Sequence, residues 1–121
     1  LGRPIEGNFE EEFSLKPVAN ELSKIINMDV ELIDTLESSK IFKSSSNIQV
    51  LENIRFFKGE KENSQELGNK LGSLGDIYVF DAFGTAHREQ ASTHAAIINA
   101  PIACSGLLLE KEEALKVMEL I

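Results

Sequence analysis

The run DIYVFDAF, residues 76–83, constrains the fold more than any other part of the chain. Its interior is apolar on both alternating faces, which is typical of a strand buried on both sides in a parallel sheet. Residues 28–33, 47–51 and 102–109 also have strand character. Helical patterns alternate with these runs, and such alternation favours right-handed βαβ units. The sequence therefore predicts an α/β fold, with a doubly wound parallel sheet flanked by helices.

The first two helical patterns can be placed from their capping residues. Ser14 is the predicted N-cap of the first helix, with Pro17 in its first turn. The second helix is predicted from Ser64 to about Leu74. Interior glycines weaken a helix, so those in the second pattern indicate either close helix packing or sequence drift. These glycines are Gly68, Gly72 and Gly75.

The last third of the chain contains two more helical patterns. One begins at about Glu89, and the other spans residues 110–121 with Leu115 and Met118 predicted to face inward. The single cysteine, Cys104, lies in an apolar run. We interpret it as a small buried core residue rather than a reactive thiol.

Charge and composition exclude several classes of protein. The net charge of −8 repels phosphate backbones, which argues against nucleic-acid binding. The apolar stretch 95–109 is interrupted by polar residues and proline, so it is not a membrane span. One cysteine cannot form an internal disulfide, which suits a reducing compartment. The sequence contains neither a P-loop nor a G-x-G-x-x-G motif, so no pattern for nucleotide binding is present.

The placement of the three arginines points to an anion site. Nine of the twelve basic residues are lysines, whereas Arg3, Arg55 and Arg88 lie in loops or just after strands. In open α/β sheets, ligands bind at the carboxyl ends of the strands. Three guanidinium groups gathered there would bind a small, multiply charged anion. The alternative is three unrelated surface arginines that pair with some of the twenty acidic residues.

His87 is the neighbour of Arg88 and can donate to the same anion, although a purely structural histidine is the alternative. The Gly84–Thr85 turn also offers backbone N–H groups to a phosphate or carboxylate. A metal site formed by His87 and His94 is not expected. Their seven-residue spacing spans two helical turns, and nothing completes a ligand set.

Several strings in fixed order carry a family resemblance. They are LGRP, SLKPVANEL, VLENIRF, DIYVFDAFGTAHREQAST and LLLEKE. Together they resemble the N-terminal domain of the phosphoglycerate kinases along essentially the whole chain, and DAFGTAHR is the most specific of them. The resemblance implies an incomplete, Rossmann-like substrate-binding domain over residues 1–121. It also implies truncation at both ends and absence of the nucleotide-binding C-terminal domain.

The resemblance further implies a function. It is reversible phosphoryl transfer in glycolysis between 1,3-bisphosphoglycerate with ADP and 3-phosphoglycerate with ATP. No catalytic residue is assigned within this fragment, and the fragment alone is expected to be inactive. The residues matching the family's 3-phosphoglycerate patch are Leu1, Gly2, Arg3, Arg55, His87 and Arg88.

The implied partners belong to the full-length enzyme. Mg with ATP or ADP would be bound there, whereas no cofactor or metal is expected to bind this fragment. The chain's partners would be the phosphorylated substrates and the missing C-terminal domain, with neither nucleic acid nor membrane among them. A monomeric full-length enzyme in the cytoplasm is expected.

The chain departs from the family pattern in several places. Phe80 stands where many members have asparagine, and Gln90 stands where many have histidine. The chain starts at Leu1 without Met and stops within a helical pattern, so we expect a fragment. The alternative to an enzyme domain is a non-catalytic anion-binding or interaction module of the same fold. A purely structural acidic domain would not explain the position of the arginines.

Overall fold

The computed structural model describes residues 2–37, 41 and 46–120. Backbone contacts divide the chain into two compact units, Leu1–Lys58 and Gly59–Ile121. Each unit contains one two-stranded parallel sheet with helices. The α/β fold class with parallel strands is therefore confirmed. Within the described part of the chain, no helix is both long enough and apolar enough to cross a membrane.

The first unit pairs two short strands in parallel and precedes them with a helix. Val30 pairs with Ile48 and Ile33 pairs with Leu51, so the two strands are in register over their whole length. Both strands coincide with the predicted runs. In chain order the elements are a 3-10 turn (Glu11–Phe13), α1 (Lys16–Ile26), β1 (Val30–Ile33), β2 (Ile48–Leu51) and a second 3-10 turn (Ile54–Phe56).

Helix α1 begins one residue later than predicted. Leu15 is its N-cap and Pro17 lies in its first turn. The Ser14 hydroxyl accepts a hydrogen bond from the Lys16 N–H at 3.2 Å and donates one to the Glu52 carboxylate. Ser14 therefore links the start of α1 to Glu52 instead of being the N-cap. Ala19 is the buried residue of α1, whereas the apolar Ile25 is 73% exposed. The polar, serine-rich range 34–46 predicts a loop or a short helix, and most of this range lies outside the described residues.

The second unit is a βαβ arrangement preceded by a helix. Ile77 pairs with Ile102 and Phe80 pairs with Ser105, again in parallel. Ser64 caps the first helix, because its hydroxyl accepts the Leu67 N–H at 3.3 Å. In chain order the elements are α2 (Gln65–Gly72), β3 (Ile77–Phe80), a 3-10 turn (Phe83–Thr85), a π-helix (Ala91–Ala95), α3 (Ala96–Asn99), β4 (Ile102–Ser105) and α4 (Leu107–Glu119).

The core of the second unit is the packing of α2 against the π-helix and α3. Leu67 and Leu71 are buried, and Ala95 is fully buried opposite them. A Cβ added to Gly68 would lie 2.3 Å from the Ala95 Cβ, and one added to Gly72 would lie 2.6 Å from the Ala96 carbonyl oxygen. These two glycines therefore serve close helix packing.

The boundary between β4 and α4 differs from the prediction. The strand ends at Ser105 and the helix begins at Leu107, so the predicted strand 102–109 was too long and the predicted start at Glu110 too late. The carboxylate of Asp81 accepts the Leu109 N–H at 2.8 Å. Asp81 follows the end of β3, so this contact stabilises the first turn of α4. The apolar sequence of that turn by itself resembles a strand.

The predicted burial of the last two elements was wrong. Cys104 is exposed, because β3 is the one strand that pairs with β4 among the described residues. Leu115 is 46% exposed and Met118 is 70% exposed. Apart from the half-buried Leu109, the residues of α4 face solvent in this unit. An apolar stripe indicates which face of a helix can be buried, but that face is buried only if another element packs against it.

Replacing Gly68 tests the close helix packing. Gly68→Ala should lower the free energy of unfolding by up to about 2 kcal/mol, because overpacking costs about 1–3 kcal/mol and the gain of about 1 kcal/mol in helix propensity offsets only part of that cost. The matched control is Gly75→Ala, because a Cβ there meets nothing closer than 3.9 Å. Urea denaturation measures both variants. Equal stabilities for the two would contradict the packing.

Candidate functional site

The loops that carry Arg3 and Arg55 are tied together in the first unit. The Gly7 N–H donates to the Phe56 carbonyl at 2.9 Å, and the rings of Phe9 and Phe56 lie 5.2 Å apart between centroids. The backbone N–H of Arg55 donates to the side-chain oxygen of Asn53 at 3.0 Å. Arg55 follows the carboxyl end of β2 and therefore lies in a turn that is stabilised by this hydrogen bond.

Glu52 joins the end of β2 to the segment that enters α1. It is 4% exposed. Its carboxylate accepts the Ser14 hydroxyl at 2.7 Å and the Leu15 N–H at 2.6 Å. Beside it, the Asn53 amide donates to the Phe13 carbonyl at 3.1 Å. Because these partners lie almost forty residues away in sequence, the bonds fix one loop against the other.

The environment of Glu52 favours its ionised form. Burial by itself raises the pKa of a carboxyl group, but the hydrogen bonds from Ser14, Leu15 and Asn53 outweigh burial and leave the pKa of Glu52 below its usual value. The side chain is thus a carboxylate that acts as an acceptor for several donors.

The opening loop depends on glycine beside Arg3. Gly2 has a φ of +83°, and a Cβ there would lie 2.2 Å from the ring of Phe13. Both the backbone conformation and the close ring exclude a larger side chain. Arg3 follows directly and is exposed. Leu1, the first predicted patch residue, lies outside the described residues.

His87 and Arg88 lie in the second unit, after the carboxyl end of β3. The Arg88 N–H donates to the Thr85 carbonyl at 3.0 Å, which closes a turn immediately after the 3-10 turn. Arg88 is half-buried and His87 is exposed. The Arg88 carbonyl accepts the Thr93 hydroxyl. The predicted residues thus fall in two groups: Arg3 and Arg55 lie in the first unit, and His87 and Arg88 lie in the second. That the two groups bind one anion together stays a prediction.

The two departures from the family pattern have structural roles. Phe80 is half-buried at the end of β3, and its carbonyl accepts the Gly106 N–H at 2.8 Å. Gln90 is the N-cap of the π-helix and forms a capping box with Thr93. The capping box of Gln90 therefore stabilises the segment that follows Arg88.

A cavity of about 530 Å³ lies in the first unit. It is lined by Glu11, Asp34 and Glu52, with Lys16 as the basic residue in its wall. This acidic lining is unsuited to a phosphorylated acid. Within residues 2–37, 41 and 46–120, no group of three His, Cys, Asp or Glu side chains lies close enough to hold a metal ion.

Sequence reasoning missed the supporting role of Glu52 and Asn53. The available signal was the string VLEN, in which a charged and an amide residue directly follow an apolar strand. Such residues at the end of a buried strand are hydrogen-bonded when they are themselves buried. Their partners at residues 13–15 could not be read from the local pattern.

Comparison with known proteins identifies related chains. The family model described as phosphoglycerate kinase matches residues 1–119. The phosphoglycerate kinase of Desulfovibrio desulfuricans is 47% identical over 93% of this chain, and that of Vibrio campbellii is 51% identical over 93%. The chain spans 28% and 29% of the length of these two relatives.

Solved structures agree with the curated relatives. The phosphoglycerate kinase of Coxiella burnetii superposes with a TM-score of 0.83 at 50% identity, over 93% of this chain and 28% of that one. The phosphoglycerate kinase of Pyrococcus horikoshii superposes with a TM-score of 0.67 at 29% identity, over 93% of this chain and 30% of that one.

Removal of the Glu52 charge should cost stability. Glu52→Gln should lower the free energy of unfolding by about 1–3 kcal/mol, because buried N–H donors lose their charged acceptor. The folded-state pKa lies below the unfolded one, so this stabilisation is present above the ordinary glutamate pKa and is lost as the pH falls through the folded value.

Urea denaturation across a pH series measures this effect, with Glu12→Gln as the control because Glu12 is exposed on the preceding 3-10 turn. The glutamine variant at position 52 should show a weaker loss of stability on acidification. Identical stabilities and pH profiles for the two variants would rule out a stabilising role for the Glu52 carboxylate.

Proposed function

The chain belongs to the phosphoglycerate kinase family, and we propose that it supplies the 3-phosphoglycerate-binding part of such an enzyme. The proposed reaction is reversible phosphoryl transfer between 1,3-bisphosphoglycerate with ADP and 3-phosphoglycerate with ATP, in glycolysis. The chain spans less than a third of its relatives, so activity would require the remainder of a full-length kinase.

The observation that carries the proposal is the position of the arginines. Arg3, Arg55 and Arg88 are the only three among the 121 residues, and all lie within the segment matched by the family. Arg55 and Arg88 each follow the carboxyl end of a parallel strand and sit in hydrogen-bonded turns. Loops in this position are where open α/β sheets bind ligands.

The chemistry of the ligand explains why arginine suits these positions. 3-phosphoglycerate carries a phosphate and a carboxylate, and a guanidinium group can donate two parallel hydrogen bonds to either. A charge-assisted hydrogen bond contributes about 1.5–3 kcal/mol. In a chain of net charge −8, local clustering of arginine is needed to attract an anion. His87 adds a donor beside Arg88, and Gly2 gives the Arg3 loop its conformation.

The mechanism follows from what phosphoryl transfer requires. The transition state needs positioning and electrostatic stabilisation more than covalent help from the protein. In the proposed enzyme, the residues of this chain hold the 3-phosphoglycerate so that its carboxylate can accept the phosphoryl group. A second domain presents the nucleotide, and domain closure excludes water. We propose that Mg²⁺ is bound together with ATP or ADP in the full-length kinase and not by the residues of this chain.

The cellular location, oligomeric state and partners of the enzyme are also proposed. We propose a cytoplasmic, monomeric kinase whose partners are its two phosphorylated substrates and its own nucleotide-binding domain. An exposed free thiol at Cys104 is compatible with a reducing compartment.

Truncation of Arg88 tests the substrate patch. In the full-length kinase, Arg88→Ala should weaken 3-phosphoglycerate binding at least about tenfold, equivalent to about 1.4 kcal/mol, because a guanidinium contact to the anion is lost. Isothermal titration with 3-phosphoglycerate measures the Kd. Lys24→Ala serves as the control, since it removes the same charge from an exposed position on α1. If the two variants bind equally well, Arg88 does not contact the substrate.

The isolated 121-residue chain should show no turnover. Its sequence has no motif for nucleotide binding, so a phosphoryl donor would not be held in place. A coupled phosphoryl-transfer assay, with the full-length kinase as the positive control, measures this directly. Turnover that persists through repurification of the chain and disappears in Arg88→Ala would show that these residues suffice for catalysis.

A further inference from the structure

The Thr93 side chain holds the backbone on the C-terminal side of Arg88. The Thr93 hydroxyl donates a short hydrogen bond to the Arg88 carbonyl and accepts the Gln90 N–H at 3.2 Å. The Thr93 N–H in turn donates to the Gln90 carbonyl at 3.2 Å. These three bonds close residues 88–93 into a compact loop.

Thr93 is itself fixed, because the π-helix that contains it is anchored to Glu60. Glu60 is 1% exposed. Its carboxylate accepts both the N–H of Ser92, at 2.9 Å, and the hydroxyl of Ser92. Its backbone carbonyl accepts the Ala91 N–H at 2.9 Å. A buried carboxylate that accepts such donors is strongly held, since their loss would leave polar groups unsatisfied.

Two further side chains hold the same segment from other directions. The Tyr78 hydroxyl donates to the Ser92 carbonyl at 2.7 Å. The Asn63 side-chain oxygen accepts the Ala95 N–H at 3.0 Å. This orients the Asn63 amide so that its NH₂ faces the His94 Nδ1 at 2.9 Å. The residues on either side of Thr93 are therefore fixed to the rest of the unit.

We propose that Thr93 is a positioning residue for Arg88: it fixes the Arg88 carbonyl through its hydroxyl and so presents the guanidinium to the anion. This inference rests on the proposed function of Arg88. Thr93 makes no contact with substrate in the proposal; it limits the conformations of the loop, so less entropy is lost when the ligand binds. The geometry points to the hydroxyl rather than to the methyl group as the active feature.

Two substitutions separate the hydroxyl from the bulk of the side chain. In the full-length kinase, Thr93→Val keeps the size and removes the hydroxyl, and it should weaken 3-phosphoglycerate binding about fivefold, the effect of one hydrogen bond. Thr93→Ser keeps the hydroxyl and should stay within about twofold of the wild type. Titration calorimetry with 3-phosphoglycerate gives both Kd values. Thr93→Ala replaces the valine variant if the latter does not fold.

A double-mutant cycle shows whether Thr93 acts through Arg88. In an Arg88→Ala background, Thr93→Val should cause no further loss of affinity, since the group that it positions is gone. Ser92→Ala is the structural comparison, because it removes one bond to Glu60 and leaves the bonds of Thr93 in place. It should lower Tm with less effect on Kd than Thr93→Val.

The outcomes distinguish the two proposals. If Arg88→Ala weakens binding while Thr93→Val does not, or if Thr93→Ser is as weak as Thr93→Val, the positioning role is wrong and the role of Arg88 stands. Additive losses in the double variant would also overturn the positioning role. If Arg88→Ala leaves Kd unchanged, the proposed function of Arg88 fails, and the role of Thr93 fails with it.

Discussion

Each unit depends on the hydrogen bonds of one buried glutamate, whose carboxylate accepts a backbone N–H and a serine hydroxyl. In the first unit Glu52 accepts from Ser14 and from the Leu15 N–H, just before α1. In the second unit Glu60 accepts from the hydroxyl and the N–H of Ser92, in the first turn of the π-helix. In both cases a carboxylate from a distant residue satisfies the free N–H groups at the start of a helix. The loops that carry the arginines are attached to these same helices and strands.

This arrangement reconciles a strongly acidic chain with a proposed anion site. The net charge of −8 is unfavourable for anions at long range, but the buried carboxylates of Glu52 and Glu60 accept hydrogen bonds from the protein itself. Binding would then depend on short-range contacts from arginines in hydrogen-bonded turns rather than on the overall field. Lysine is the common cation of this chain, and its single ammonium group lacks the forked geometry that recognises phosphate and carboxylate.

The sequence alone predicted which segments form strands and that arginines follow two of them. It did not predict which side chains are buried or which residues hold the arginine loops in place. Strand-like runs predicted the four strands that the described residues contain, and Ser64 predicted the start of α2, because those signals are local. The boundary at Gly106 could not be predicted, since the bond from Leu109 to Asp81 spans 28 residues. Periodicity gave the apolar face of α4 but not whether another element covers Met118, which is 70% exposed. The string VLEN marks Glu52 as a polar residue after a strand, but its partners Ser14 and Leu15 lie almost forty residues away and could not be predicted locally. The hydrogen bonds of Thr93 depend on the start of an uncommon π-helix, which the local pattern does not predict either.

We propose that the three arginines bind one phosphorylated acid together, and a crystal structure of the full-length kinase with 3-phosphoglycerate would show whether they do. The guanidinium nitrogens of Arg3, Arg55 and Arg88 should lie about 3 Å from phosphate or carboxylate oxygens of the ligand, the usual length of a charge-assisted hydrogen bond. A ligand bound by other residues, with these three side chains on separate surfaces, would show that the arginines do not form the substrate site.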